Sequence, residues 1–266
     1  STTCFITRDV TVNTTPAPIT GPTAVCTGTI TTYSTTPTGG TWSVASGPGS
    51  IVSTTGDYTA SATGTASIRY TLPVTGCFRA LAVAVNPTPN PITGSSQVCV
   101  GASITKATTT ASGTWSSPED GTIVTVTGAG TSATITGLAA GVATISYTMA
   151  TGCYQIAYVT VNPVPSPIVA TVTAICAGDC TTLTNPDAGG TWSSSLSASG
   201  SIDASSGVLC GVFAGNPVIS YTFSTGCYAT LPVTINALPN PFVPTMSVCM
   251  GSTTTILSGG GAGEWS

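Results

Sequence analysis

The ten cysteines are the residues of this 266-residue chain with the clearest chemistry. The chain has no histidine, so no imidazole base can activate a serine or cysteine nucleophile. Many cysteines without histidine favour disulfides over metal sites, and disulfides persist in oxidising, extracellular compartments. We therefore expect an extracellular protein without a cofactor. The candidate disulfide cysteines are Cys4, Cys26, Cys77, Cys99, Cys153, Cys176, Cys180, Cys210, Cys227 and Cys249.

The few carboxylates do not form a recognisable catalytic or metal-binding pattern. A hydrolase needs a placed carboxylate pair, but Glu119 and Asp120 are adjacent, and their side chains diverge. Asp179, Asp187 and Asp203 lack the alternating acidic loop that Ca²⁺ prefers. We expect no catalytic residue, no metal ligand and no enzyme activity.

The cysteines belong to a pattern that recurs along the chain with a shift of 73 to 77 residues. A cysteine precedes a tryptophan by 16 positions, and the tryptophan lies in a Gly-x-Trp-Ser tetrapeptide. Next come Ile-x-Tyr-Thr, Thr-Gly-Cys, Val-x-Val-Asn or a variant, and a Pro-x-Pro linker. The tryptophans are Trp42, Trp115, Trp192 and Trp265. A tryptophan on the third strand of a sandwich is typical of a core centre rather than of a sugar-stacking platform.

Period-2 runs such as Leu81, Val83 and Val85 predict strands, and Gly-rich turn signals separate them at the spacing of a sandwich. Each repeat has room for about seven strands. We expect an all-β fold, a linear array of Ig-like antiparallel β-sandwich domains. The complete repeats are 16–88, 89–164 and 165–238; residues 1–15 read as the final strand of a truncated repeat and 239–266 as the start of another. We therefore expect a segment of a longer array.

Composition excludes several partners. Only 5% of the residues are charged and the net charge is −4, so no basic patch for nucleic acid or an anionic membrane can form. No apolar run approaches the ~20 residues that a membrane-spanning helix needs. The expected partners are further repeats of the same chain or identical subunits, with surface glycans as a further candidate.

The ordered motifs Val-Cys-x-Gly, Gly-Gly-Thr-Trp-Ser, Ile-x-Tyr-Thr, Gly-Cys and Val-x-Val-Asn-Pro resemble the bacterial Ig-like repeats, of the Big and PKD-like kind, in secreted proteins of Bacteroidota. The resemblance covers the entire chain. It implies a sandwich fold, a role as stalk, adhesin or fibre, and no shared catalytic residue. Unlike antibody domains, the second cysteine follows a Thr-Gly turn at the start of the last strand.

The pairing of the main cysteines has two solutions. Pairing within repeats gives Cys26–Cys77, Cys99–Cys153 and Cys176–Cys227, and leaves Cys4 and Cys249. Pairing between repeats gives Cys26–Cys153 and Cys99–Cys227, and leaves Cys77 and Cys176. Strand topology favours the second, because the two cysteines of one repeat would lie at opposite ends of a sandwich about 25 Å long, beyond the reach of a disulfide.

The third repeat has two extra cysteines, Cys180 and Cys210, which we expect to join its second and fifth strands. A four-cysteine zinc site with Cys176 and Cys227 is the alternative. For the chain as a whole, the leading hypothesis is a structural or adhesive extracellular filament made of tandem disulfide-stabilised Ig-like domains. The alternative is the stalk of a secreted enzyme or carbohydrate-binding adhesin whose active module lies elsewhere.

Overall fold

The computed structural model describes residues 6–239 and 249–251, so Cys4 and Trp265 lie outside the described residues. Within the described part the chain forms strands and turns and no helix, so no helix there is suited to crossing a membrane. The chain divides into two compact units, Ser1–Val161 and Asn162–Ser266. The first unit contains the first repeat and nearly all of the second, and the second unit contains the third repeat.

All three repeats use one strand plan. The first repeat contains β1 (Ala24–Cys26), β2 (Ile30–Thr32), β3 (Thr41–Ser46), β4 (Ser50–Ile51), β5 (Asp57–Thr59), β6 (Gly64–Thr71) and β7 (Phe78–Asn86). The second contains β8 (Gln97–Cys99), β9 (Ser103–Ala107), β10 (Gly113–Ser116), β11 (Val124–Ala129), β12 (Ser132–Gly137), β13 (Gly141–Met149) and β14 (Tyr154–Asn162). The third contains β15 (Ala174–Cys176), β16 (Cys180–Thr182), β17 (Thr191–Ser194), β18 (Gly200–Ile202), β19 (Val208–Gly211), β20 (Val218–Thr222), β21 (Tyr228–Pro232) and β22 (Thr234–Asn236).

We name the strands of each repeat A′, B, C, D, E, F and G in chain order, with β21 and β22 together forming G of the third repeat. In the first repeat one sheet has the order β1-β7-β6-β3, which is A′-G-F-C, and the other has β2-β5-β4, which is B-E-D. The second repeat has the same two sheets, and the third differs only in the break of strand G. This is the topology of an immunoglobulin-like sandwich.

Strand A′ departs from the antiparallel expectation, because it pairs in parallel with strand G. Cys26 lies opposite Asn86 in the first repeat, and Cys176 lies opposite Asn236 in the third. Strands A′ and G therefore end together. The first cysteine of a repeat thus lies at the end of the sandwich from which the chain continues into the linker.

The sheets bury one face each, as the period-2 pattern predicts. In β6 the buried side chains are Ala66, Ile68 and Tyr70, while the residues between them are less buried. Threonine and serine occupy much of the outer face, which hydrates the sheet with few charges. Each repeat has its own apolar cluster.

In each repeat a tryptophan of strand C packs on the tyrosine of strand F. The ring centroids are 4.8 Å apart for Trp42 and Tyr70. They are 4.7 Å apart in the other two repeats. Trp42 and Trp192 are buried, each 6% exposed. Their indole faces are therefore packed against protein and unavailable for stacking on a sugar.

The glycine of Gly-x-Trp-Ser locks this pair. A Cβ at Gly40, Gly113 or Gly190 would lie only 2.5–2.6 Å from the ring of the strand F tyrosine. The glycine amide donates to the tyrosine hydroxyl, and that hydroxyl donates to a carbonyl of the B–C loop. These contacts are repeated at Tyr70, Tyr147 and Tyr221. The recurrence of the Gly-x-Trp and Ile-x-Tyr motifs thus reflects one interlocked contact.

Trp115 differs from the other two tryptophans, because it is only partly buried at the margin of its cluster. Strands D and E of the second repeat, β11 and β12, have six residues each, whereas β4 and β5 have two and three. The turn of this longer hairpin brings the carbonyl of Gly130 to the indole, which donates to it through Nε1 at 3.1 Å. In the first repeat, Gly56 lies against Trp42 instead.

The position seven residues after the first cysteine of a repeat, in or just after strand B, carries Tyr33, Lys106 and Leu183 in the three repeats. All three side chains are buried. Tyr33 donates its hydroxyl to the carbonyl of Pro22 at 2.8 Å. Lys106 reaches the equivalent turn and donates to the carbonyl of Gly94 at 3.3 Å. Burial lowers the pKa of Lys106. Burial, with a smaller contribution from Tyr58, raises the pKa of Tyr33 to about 12.

We expect the first and second repeats to respond in opposite directions when the pH rises from about 8 to 11. The folded first repeat holds the Tyr33 proton more tightly than the unfolded chain, so its stability falls above the ordinary tyrosine pKa of ~10. The folded second repeat holds the Lys106 proton less tightly, so its stability rises towards ~10.4, the ordinary lysine pKa. Pulse proteolysis with proteinase K in urea, with cuts assigned by mass spectrometry, measures both.

The controls are Tyr33→Phe and Lys106→Leu, and the second places in this core the residue of the third repeat. Tyr33→Phe is expected to reduce the alkaline loss, and Lys106→Leu to abolish the alkaline gain. Lys106→Leu should also stabilise the second repeat at pH 7 by about 1 kcal/mol, because a buried cation is removed. A parallel response of the two wild-type repeats would contradict the assignment.

Candidate functional site: the cysteines at the repeat ends

Cys26 and Cys153 form a disulfide that joins the first repeat to the second. The two residues are 127 positions apart, and their Cα atoms are 5.6 Å apart. Cys77 is free, so the first repeat does not make the within-repeat bond. At this site the structure therefore has the pairing between repeats and not the pairing within a repeat.

Strand directions explain this choice. Cys26 lies opposite Asn86 at the end of strand G, whereas Cys77 immediately precedes the same strand. Nine strand residues at ~3.3 Å each separate the two by roughly 30 Å. A disulfide allows about 4.4–6.8 Å between Cα atoms. No side-chain rotation closes that gap, so the disulfide partner of Cys26 must lie outside the first repeat.

The Thr-Gly-Cys segment presents the second cysteine of the bond from the F–G turn. Gly152 has a φ of +85°, which glycine adopts without strain, and its amide donates to the carbonyl of Met149. The amide of Met149 donates in turn to the carbonyl of Cys153. The turn places Cys153 immediately before strand G, where it is 1% exposed.

The linker between these two repeats is held by hydrogen bonds at both ends. Thr88 donates its amide to the Thr27 hydroxyl at 2.9 Å and its hydroxyl to the Thr27 carbonyl at 2.6 Å. Asn90 donates its amide to Thr110 and its side-chain amide to Thr109. The first proline of the linker, Pro89, is buried. The disulfide therefore closes a junction that the linker already orders.

Cys77 and Cys227, which follow the Thr-Gly turns of the first and third repeats, occupy the same kind of position as Cys153. Cys77 lies with its Sγ 4.0 Å from the carbonyl of Asn13, and Cys227 lies 4.0 Å from the carbonyl of Asn162. In each case the asparagine ends the Val-x-Val-Asn motif of the preceding repeat. Cys99 and Cys227 are both disulfide-bonded. Cys176 is free, and Cys249 is free and exposed.

Cys180 and Cys210 are paired with each other, with Cα atoms 4.1 Å apart, and lie directly opposite on strands B and E of the third repeat. The four-cysteine zinc alternative is wrong, because both sulfurs are consumed by this bond. The second repeat has a Ser103–Thr136 hydrogen bond of 2.8 Å at the equivalent position. The same cross-strand position is therefore joined either by a hydrogen bond or by a covalent bond.

The carboxylates singled out as catalytic or calcium candidates stabilise loops instead. Glu119 accepts a hydrogen bond from the amide of Thr144, and Asp203 accepts four from Ser205 and Ser206. These donors lower the pKa of each carboxyl. Among residues 6–239 and 249–251, no group of three potential ligands is placed to hold a metal ion.

We expect the stability of the chain to be independent of pH from about pH 5 to pH 8 and to fall only below about pH 4. Histidine is absent, and Asp57, Glu119, Asp187 and Asp203 all have lowered pKa values from hydrogen bonds to Thr32, Thr144, Ser166 and Ser206. A lowered pKa adds stability above the unfolded value, ~4, which is lost as the pH falls towards the folded value. Thermal unfolding between pH 2 and pH 8 measures this.

The matched control is Asp203→Asn. It removes the charged acceptor of the D–E turn, so its third repeat should be less stable at pH 6 and show a smaller further loss in acid. A melting temperature that already falls steeply between pH 7 and pH 5 would contradict the prediction, since nothing in the sequence titrates there as histidine does.

Comparisons with known proteins identify no family. No protein-family model matches the chain, and a search of the curated proteins finds no match. Among solved structures, a C-terminal 282-residue fragment of intimin, in complex with the Tir intimin-binding domain, is 17% identical with a TM-score of 0.39, covering 57% of this chain and 67% of that one. The human desmocollin-1 ectodomain is 9% identical with a TM-score of 0.24, covering 89% of this chain and 65% of that one.

A third structure, Bacteroides ovatus SGBP-B in complex with a mixed-linkage heptasaccharide, is 15% identical with a TM-score of 0.24, covering 86% of this chain and 71% of that one. The chain spans slightly less than two thirds of the desmocollin structure. Similarities this weak carry no argument about function. The assignment of the Ig-like sandwich rests on the strand order and pairing of the repeats themselves.

Proposed function

We propose that this chain is a non-enzymatic segment of an extracellular structural or adhesive filament, in which disulfides lace each Ig-like repeat to the next. The observation that carries the proposal is the Cys26–Cys153 bond between the first and second repeats. A domain that only needs internal stability gains it from a bond within its own fold. A bond between repeats instead fixes the direction of the shaft.

The recurrence of the cysteine positions supports the same arrangement along the chain. The first cysteine of a repeat ends strand A′ beside the final asparagine of strand G, and the second cysteine of the following repeat approaches that asparagine. We propose that Cys99 pairs with Cys227 by this rule. Cys77 and Cys176 then bond further repeats of the same chain or identical subunits.

The composition supports an exposed, durable location. Disulfides require an oxidising compartment, and 5% charged residues leave few groups whose titration or salt screening would loosen the fold. A repeat of about 74 residues buries a small core, so covalent bonds are a large share of its stability. These features suit a shaft exposed to acid, salt and proteases outside the cell.

Peptide mapping without reduction tests the lacing. The protein is alkylated and digested with pepsin at low pH, which suppresses disulfide exchange, and linked peptides are sequenced by mass spectrometry. We expect links from Cys26 to Cys153, from Cys99 to Cys227 and from Cys180 to Cys210. A link from Cys26 to Cys77 would refute the laced shaft.

The filament itself is tested on native secreted material. Electron microscopy should show thin unbranched fibres, and denaturing gels with and without reductant separate the two kinds of continuity. If fibres dissolve into short chains only with reductant, identical subunits are joined through Cys77 and Cys176. If chain length is unchanged, one polypeptide forms the shaft. Isolated short particles ending in a non-repetitive domain would favour a stalk instead.

A further inference from the structure

The second repeat carries a row of large side chains on the outer face of strand G. Tyr154, Ile156 and Tyr158 alternate along β14 and are 59%, 41% and 60% exposed. Alternate residues of a strand lie on one face at ~6.6 Å spacing, so the two tyrosines are about 13 Å apart along the strand. We call Tyr154, Ile156 and Tyr158 the outer row.

Hydroxyl side chains lie beside the outer row on the neighbouring strand F. Tyr154 lies opposite Thr148, Ile156 opposite Ser146, and Tyr158 opposite Thr144. Strand C continues two of these lines with Thr114 and Ser116. The face is an open sheet surface of rings bordered by hydroxyl groups.

The outer row is a feature of the second repeat alone among the three. Aligned on Thr-Gly-Cys, the first repeat has Phe78, Ala80 and Ala82, and the third has Tyr228, Thr230 and Pro232. In the first repeat the guanidinium of Arg69 lies over the Phe78 ring, 4.3 Å from its centroid. Ser146 replaces that arginine in the second repeat, so nothing charged covers Tyr154.

We propose that the outer row of the second repeat is a binding platform for an uncharged polysaccharide. A pyranose ring has an apolar C–H face and a rim of hydroxyl groups. The tyrosine and isoleucine side chains match the apolar face, and the threonine and serine hydroxyls of strands F and C match the rim. Two rings about 13 Å apart engage an extended oligosaccharide rather than a single sugar.

Charge and area favour a neutral glycan over other occupants. No Lys, Arg, Asp or Glu lies on this face in strands C, F or G, and the carboxylate at its margin, Glu119, would repel an anionic polymer. The outer row exposes about 300 Å², given 150–250 Å² for a whole aromatic side chain. A stable protein interface needs about 800 Å² on each partner. The row is thus small for a second copy of this chain but sufficient for a few sugars.

The test uses the full chain and the double variant Ile156→Ala/Tyr158→Ala, which gives the second repeat the alanines that the first repeat has. Tyr228→Ala is the matched control, because Tyr228 is also 60% exposed but stands without large neighbours. Retention is measured on insoluble cellulose and chitin and in affinity gels that contain mannan, with alginate as the anionic probe. Hydrogen exchange of strand F checks that the second repeat is folded.

We expect the wild-type chain and Tyr228→Ala to be retained by at least one neutral probe and not by alginate, and the double variant to bind at least tenfold more weakly. Unchanged retention of the folded double variant overturns the platform, as does a lack of retention of the wild-type chain on every neutral probe. Sedimentation of the wild-type chain as a dimer that the double variant loses also overturns it, in favour of a second copy. The proposal does not depend on the lacing, since peptide mapping and glycan retention are measured separately.

Discussion

Reduction of the variant Cys99→Ser/Cys227→Ser, held under tension as a single chain, is expected to lengthen it by about 430 Å through the loss of the Cys26–Cys153 bond alone. The variant is needed because the proposed Cys99–Cys227 bond encloses part of the same segment. The bond joins residues 127 positions apart, and an extended residue spans at most ~3.3–3.6 Å. While the disulfide is intact, force bypasses this loop. Even if the parts of the first and second repeats inside the loop unfold, their length cannot contribute to the end-to-end distance of the chain.

Atomic force microscopy on the full chain measures this length, with a soluble reductant added at constant force. Added to the same background, Cys26→Ser/Cys153→Ser should show the extra length without reductant. The matched control is Cys180→Ser/Cys210→Ser, whose bond spans 30 positions and hides only about 100 Å. A release less than half of the predicted one at Cys26 would indicate the within-repeat pairing with Cys77 and contradict the laced shaft.

In the filament proposed above, bonds between repeats also change the response to load. In an array of independent sandwiches, the weakest repeat unfolds first and extends by its whole length. With bonds between repeats, a segment that unfolds inside a disulfide loop stays short, and the neighbouring repeats continue to carry the force. This behaviour follows from where the cysteines lie at the ends of strands A′ and G, not from the strength of any one core.

The sequence predicts the fold well because its signals are local and repeated. The period-2 runs and Gly-rich turns indicate the strands, and the comparison of repeats aligns Trp42 with Trp192. The parallel pairing of strand A′ with strand G is a long-range choice that alternation alone does not specify. It nevertheless determines which end of the sandwich presents Cys26.

Three details of the second repeat could not be predicted from the sequence, for physical reasons. Lys106 is polar and reads as a surface residue, and only its alignment with Tyr33 and Leu183 marks a core position. The exposure of Trp115 depends on the length of the D–E hairpin, which shifts the turn at Gly130 against the indole. The exposed outer row was visible in the sequence as alternating large residues, but which face they occupy required the register of strand G.

Substitution of the core tryptophans is expected to separate the repeats. Trp42→Ala and Trp192→Ala each remove a buried indole and leave a cavity beside the strand F tyrosine, at a cost of about 3–5 kcal/mol. Trp115→Ala should cost about half as much, because its indole is already partly in water and its removal also frees the carbonyl of Gly130 to hydrate. A sandwich of this size has a free energy of unfolding of only ~4–11 kcal/mol.

Hydrogen exchange of the full chain followed by mass spectrometry resolves these effects, because strand F of each repeat, β6, β13 or β20, yields its own peptides and the unsubstituted repeats serve as internal references. A loss of 3–5 kcal/mol raises exchange of β6 in Trp42→Ala by roughly 10²–10⁴-fold, since ~1.4 kcal/mol is a factor of ten. In Trp192→Ala the Cys180–Cys210 bond still restricts the unfolded third repeat, so β20 should keep more protection than β6 does in Trp42→Ala.

Acrylamide quenching offers an independent check, because Trp115 should be the most accessible of Trp42, Trp115 and Trp192 in the folded chain. Equal acceleration in Trp115→Ala and Trp42→Ala would contradict the partly exposed placement of Trp115. It would mean that the longer D–E hairpin covers the indole as completely as the Gly56 turn covers Trp42.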